Sequence, residues 1–317
     1  MRKALIIGLD YYKNISPLTG CVNDAYSVKS VLERNSNGTI NFSTKIRVAT
    51  NNSNALTRRQ LKDLTTELFK DDSEVALFYF SGHGYVEKSG GFLITSDCNE
   101  GDDGFPLSEL LLLANDSPSR NKIIILDCCH AGFVGKISGF EDKSILSEGI
   151  TILTASSETQ YAHEENGSGV FTTLLVDALN GSASNLVGDI TPGSLYAHID
   201  QSLGPWEQRP IFKTNVKSFI SLRTVQPPIS LSELKEIVTL FPSKSEPFQL
   251  NPTFEPTEKT CIPENAEKFA LLQKLNRVNL VVPVDEEHMY FAAINSKSCQ
   301  LTILGEHYWN LVKKDRI

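Results

Sequence analysis

Residues 74–81 read EVALFYFS, an apolar run that stops at Ser81 and passes straight into Gly82-His83-Gly84. Strands buried on both faces read as continuous apolar runs, and such strands belong to parallel sheets covered by helices. Working outward, ALIIGL (4–9), TKIRVAT (44–50), KIIILDC (122–128) and GITILTAS (149–156) predict further strands. The stretches between them carry helical signals. One helix is expected over 23–35 with Asn23 or Asp24 as its N-cap, and one over 57–71 with Leu61, Leu64 and Leu68 on a single face. Others are expected over 107–116, 169–181 and 191–204, the last two closed by glycine. Residues 210–222 are expected to supply a last strand.

This alternation predicts an α/β fold: a doubly wound, mostly parallel sheet with helices on both faces. In such sheets the site lies outside the carboxyl ends of the strands. That rule puts Ser81 to Gly84 and Asp127 to His130 at the working edge, within reach of the loop LTGCVND (18–24).

Composition bounds the function. The 317 residues are 40% hydrophobic and 21% charged, with a formal net charge of −8. Acidity argues against nucleic acid as the main partner. No stretch approaches the roughly 20 apolar residues of a membrane helix, so no membrane partner is expected. MRKALIIGLDYY lacks a small-residue cleavage pattern and reads better as a first strand. Six scattered cysteines form no framework, which points to reduced thiols and a cytoplasmic location.

The chain past residue 222 changes character. Residues 223–262 are rich in Pro, Ser, Thr and Glu and are expected to form a linker with one short helix over 230–241. From 263, an amphipathic helix, two strands (280–284 and 288–294) and a closing aromatic segment (305–317) are expected. This order is similar to a winged-helix module. Its mildly acidic balance favours a regulatory protein partner over DNA.

Two strand ends carry chemistry. His83 lies between glycines that permit close backbone approach; its plain alternative is a surface histidine in a turn. Cys128 and Cys129 follow a buried strand directly, so one thiol is expected to pack inward and the other to face the crevice. Their plain alternative is a pair of small buried hydrophobes. Metal is disfavoured, because adjacent ligands make poor tetrahedral sites and no C-x-x-C spacing occurs. A histidine and a cysteine at neighbouring strand ends suit nucleophilic catalysis, in which the imidazole promotes the thiolate. The backbone N–H groups of Gly84 and Cys129 are the expected oxyanion donors.

YFSGHG followed by LDCCHAG resembles the caspase-like cysteine peptidases, and is most similar to their metacaspase branch. KALIIGLDYY, LTGCVNDA, ILTASSETQYAHE and GVFTTLLVDAL extend the resemblance, in order, over residues 1–220. It implies Cys129 as nucleophile, His83 as base and Cys128 at the variable position. It also implies an acidic pocket for an Arg or Lys before the scissile bond, formed by Cys21, Asp24, Ser81 and Asp127. Carboxylates are what a guanidinium or ammonium requires at a desolvated site. Asp24 as a helix cap and Asp127 as a brace of the loop are the alternatives. No cofactor is expected. Calcium binding by Asp97, Asp102 and Asp103 stays open, since their spacing matches neither the family's cluster nor an EF-hand.

Lys136 and Lys143, in the segment 133–146, are candidate autoprocessing sites, the alternative being an ordinary surface loop. The expected function is therefore a cysteine endopeptidase, with bacterial stress or antiviral defence as a setting by analogy. Two alternatives stand: a non-catalytic caspase-like scaffold, and a related peptidase cutting after Asp or Asn.

Overall fold

A computed structural model describes residues 1–88, 90–128, 136–137, 140–155, 164–165, 168–204 and 209–317. The chain forms two compact units. One holds Met1–Ser184 and Asp189–Val225, the other Asn185–Gly188 and Gln226–Ile317.

The first unit opens with β1 (Arg2–Leu9), α1 (Cys21–Glu33), β2 (Ser43–Ala49), α2 (Arg58–Lys70) and β3 (Val75–Ser81). A three-stranded antiparallel excursion follows: β4 (Gly84–Glu87), β5 (Gly90–Leu93) and β6 (Phe105–Pro106). Then come α3 (Leu107–Asn115), β7 (Asn121–Asp127), the paired β8 (Lys136–Ile137) and β9 (Phe140–Ser144), and β10 (Ile150–Thr154). The paired β11 (Glu164–Glu165) and β12 (Ser168–Gly169) lead into α4 (Val170–Asp177). The unit closes with β13 (Asp189–Ile190), α5 (Pro192–Ser202), β14 (Ile211–Asn215) and β15 (Arg223–Thr224).

Six strands form the central sheet in the order β14-β10-β7-β3-β1-β2. All neighbours are parallel except β14, which runs antiparallel to β10. Alternate residues of β3 explain the layers. Phe78 and Phe80 join a core with Leu61 and Leu68 of α2 and Leu110 of α3. Leu77 and Tyr79 join a second core with Val28 and Leu32 of α1, Phe171 and Leu175 of α4, and Leu195 of α5. Both faces are thus apolar and covered, which is why the strand reads as an unbroken run. The doubly wound, mostly parallel sheet expected from the sequence is what forms.

Register aligns the strand ends. Gly8 of β1 pairs with Ser81 of β3, and Ser81 pairs with Asp127 of β7. One expectation is corrected here: neither Asn23 nor Asp24 caps α1. The helix begins at Cys21 with Gly20 at the cap position. The amides of Cys21 and Val22 instead donate to Asp10 Oδ1 at 2.9 and 3.2 Å, so a carboxylate from outside the helix satisfies them. Asp24 falls in the first turn, its carboxylate engaged outside the helix by Ser81 and Gly169.

The second unit contains α6 (Leu231–Lys235), α7 (Ile237–Leu240), β16 (Phe248–Gln249), α8 (Pro263–Arg277), β17 (Val281–Pro283), α9 (Met289–Ile294), β18 (Ser298–Leu301) and α10 (Ile303–Lys313). Its antiparallel sheet has the order β16-β18-β17. Of residues 288–294, expected as a strand, Met289–Ile294 are helical and His288 is the extended residue at the cap. Met289, Ala292 and Ala293 are buried while Tyr290 and Phe291 are exposed, the i, i+3, i+4 pattern of a helix. The Pro- and Ser-rich stretch expected as a linker lends Ile229, Leu234, Ile237, Phe241, Leu250 and Phe254 to this unit's core. Among the described residues no helix is long and apolar enough to cross a membrane.

Candidate active site

The ends of β3 and β7 carry two clusters. The first is acidic. Asp24, Ser81 and Asp127 are 2%, 1% and 5% exposed. Ser81 Oγ donates to Asp24 Oδ2 at 3.1 Å, and the Gly169 N–H donates to both Asp24 oxygens at 3.2 Å. Thr172 Oγ1 donates to Asp127 Oδ2 at 2.6 Å. That bond uses the hydroxyl's one proton, so the Tyr79 phenol, 2.6 Å away, donates to the Thr172 oxygen in turn. Burial, then the charges of Asp127 and Asp24, push the Tyr79 phenol well above its ordinary pKa, so it keeps that proton.

Gly169 joins the two carboxylates. A Cβ at this position would sit 2.3 Å from Asp127 Oδ2 and 3.2 Å from Asp24 Oδ2. Only glycine lets both oxygens approach so near one backbone atom. A cavity of about 230 Å³ opens beside Asp24, lined by Ser27, Ser168, Thr172, Thr173 and Val176. Cys21, the remaining expected pocket residue, is buried at the first position of α1.

The second cluster surrounds His83. Its neighbour Gly82 donates an N–H to Asp127 O at 3.3 Å, tying the turn after β3 to the end of β7. His83 N–H donates to Tyr12 Oη at 2.9 Å, and the two rings lie 4.8 Å apart, tilted by 50°. His83 Nε2 lies 2.9 Å from Ser16 O. A carbonyl only accepts, so Nε2 carries a proton, and in the neutral ring that leaves the lone pair on Nδ1. Ile94 N–H donates to His83 O at 3.0 Å. That bond makes Gly84 and Leu93 a non-hydrogen-bonded pair of the β4–β5 ladder, so the Gly84 N–H points away from β5.

Ser81, Asp24 and Asp127 are therefore together, and His83 is one turn away. Cys129 lies outside the described residues, and so do the side chains of Lys136 and Lys143. Cys128 is 1% exposed within the core under the sheet. Two of the acidic-loop residues already serve locally. Asp97 accepts from Arg58 N–H and Thr95 Oγ1, and Asp103 accepts from Asn99 and Gly101 N–H. Partial burial opposes ionisation of Asp103, but the amides of Asn99 and Gly101 outweigh it and lower its pKa.

Sequence reasoning missed Asp10, Tyr12, Ser16, Gly169 and Thr172. Two quoted stretches held four of them: KALIIGLDYY (3–12) contains Asp10 and Tyr12, and GVFTTLLVDAL (169–179) contains Gly169 and Thr172, whose amide and hydroxyl both face the carboxylates.

Comparison with known proteins adds the following. The family model of the caspase domain matches residues 1–223. Metacaspase-1 of Plasmodium falciparum is 31% identical over 104 residues, covering 31% of this chain and 17% of that protein. The chain therefore spans less than a fifth of that relative's length. A structural-genomics protein from Geobacter sulfurreducens superposes with a TM-score of 0.52 at 16% identity, over 71% of this chain and all of that one. Caspase-1 from Spodoptera frugiperda superposes with a TM-score of 0.51 at 14% identity, over 71% of this chain and 91% of that one. These two likenesses bear on the fold.

Proposed function

Because the chain belongs to the caspase-domain family, we propose that it is a cysteine endopeptidase that cuts after Arg or Lys. The observation that carries this reading is the meeting of two buried carboxylates, Asp24 and Asp127, at Gly169. A guanidinium or ammonium is the substrate group that such a pair attracts most strongly, and Arg can bridge both.

In this reading Cys129 is the nucleophile and His83 its base. Ser16 O holds the Nε2 proton and leaves Nδ1 to take the thiol proton. The thiolate attacks the scissile carbonyl carbon. The N–H groups of Gly84 and Cys129 receive the oxyanion, the first because it points away from its ladder partner. The imidazolium returns its proton to the leaving amine, and water then hydrolyses the thioester. Asp24, Asp127, Ser81 and Cys21 form the pocket. Lys136 and Lys143 are sites of self-cleavage, and the second unit docks a regulatory protein.

The test is turnover of fluorogenic peptides ending in Arg, Lys, Asp or Asn, with and without calcium. Cleavage after Arg or Lys that vanishes in Cys129→Ala supports the reading. Cleavage after Asp or Asn alone removes the pocket assignment. No cleavage of any peptide favours the scaffold alternative.

A further inference from the structure

We infer that Tyr12 is a positioning residue for His83, fixing the orientation and tautomer of its imidazole. The inference rests on the peptidase reading but is argued from separate contacts. His83 sits on a glycine neck that by itself permits many conformations. Its backbone N–H, ring face and Nε2 are each held, and all three anchors come from residues 12–16: Tyr12 Oη, the Tyr12 ring and Ser16 O.

That loop is braced in turn. The Asp10 and Tyr11 amides both donate to Ala49 O at 3.0 Å, Lys13 N–H to Ser96 O at 2.9 Å, and Leu18 N–H to Asp10 O at 2.9 Å. The Asp10 carboxylate also receives the first amides of α1. Tyr12 is 4% exposed, and a Cβ at residue 82 would come within 2.7 Å of its oxygen. Gly82 is thus the opening through which the phenol reaches the His83 backbone. Burial, with Cys21 nearby, lifts the phenol pKa well above its usual value, so the group stays a neutral acceptor at working pH.

Tyr12→Phe keeps the ring and deletes the acceptor, leaving the His83 N–H without its partner. Two readouts follow the imidazole directly. Nitrogen chemical shifts of His83 report its tautomer, and mass spectrometry of iodoacetamide-treated protein reports the pH midpoint of Cys129 alkylation. Cys299 serves as a silent internal control, because burial pushes its thiol up to about 12.

In the wild type we expect the Nε2–H tautomer and a Cys129 midpoint below the ordinary thiol value of about 8.5. In Tyr12→Phe we expect a mixture of tautomers and a midpoint moved toward that value. We also expect kcat to fall about 10- to 100-fold with KM within about threefold, the scale of a misplaced catalytic group. Gly82→Ala, which pushes the phenol from the other side, is expected to do the same. An unchanged tautomer and midpoint in folded Tyr12→Phe overturns the inference. Loss of folding in both variants overturns it too, by making the residue structural only. If His83→Ala leaves wild-type Cys129 alkylation unchanged, the peptidase reading falls, and the tautomer shift in Tyr12→Phe still decides the inference.

Discussion

The acidic and imidazole clusters occupy the same edge of the sheet but are built differently. Asp24, Ser81, Asp127, Thr172 and Tyr79 come from α1, β3, β7 and α4 and hold one another through side chains, almost wholly buried. His83 is half-buried and is held from one loop, with a backbone amide and a carbonyl among its anchors. The acidic half depends on how two helices pack on the sheet, while the imidazole half depends on the loop between β1 and α1. Changes in the first should therefore move specificity and stability together, and changes in the second should move chemistry with little loss of stability.

Four experiments press on that contrast. The largest effect is expected for Cys129→Ala and His83→Ala: peptide cleavage falls by roughly 10³-fold or more, while the thermal midpoint shifts little. Asp24→Asn comes next. Losing a charge-assisted contact worth about 1.5–3 kcal/mol lowers kcat/KM for Arg peptides by one to two orders of magnitude. If Asp24→Asn cleaves them undiminished, the acidic half is not the pocket. Gly169→Ala drives a methyl group into the Asp127 carboxylate. Denaturant melts should show a loss of about 1–3 kcal/mol, the usual cost of overpacking. Thr172→Val is the mildest. It removes the hydroxyl that joins Tyr79 to Asp127 and should cost about 1–2 kcal/mol by the same melts. If that variant instead abolished cleavage with stability intact, Thr172 would belong to the chemistry and the contrast would blur.

The main sheet was legible because its strands are buried on both faces and so read as uninterrupted apolar runs. The paired motifs at 81–84 and 127–129 were legible for a related reason, since a register shared by β3 and β7 ends both strands in one row. What the sequence hid was long-range. Gly169 lies 145 residues from Asp24, Thr172 45 from Asp127 and Tyr12 71 from His83. Local spacing carries no trace of such contacts. Asp24 was open to reading as a cap because Asp favours that position, yet Asp10, eleven residues before Cys21, takes those amides. Residues 288–294 were misread because a short apolar run fits strand and helix alike. The spacing of Met289, Ala292 and Ala293 was the helical signal, obscured by the aromatic pair Tyr290 and Phe291 on the other side.

The parallel pairing of β7 with β10 has a consequence for the integrity of the chain. The two strands are neighbours in register from Ile150↔Lys122 to Thr154↔Leu126, although residues 128–149 run between them. A single backbone cut in that interval would sever the polypeptide without unzipping the sheet. The first fragment would end near β7 and keep His83 and Asp24. The second would begin near β10 and keep Gly169, Thr172 and β14. Separating them would strip cover from Ile123 and Ile125 on one side and from Leu153, Phe171 and Leu175 on the other, all of one core. A nicked molecule would therefore behave as a tight two-chain complex, with the carboxylates of one chain still clasped by the glycine amide and threonine hydroxyl of the other.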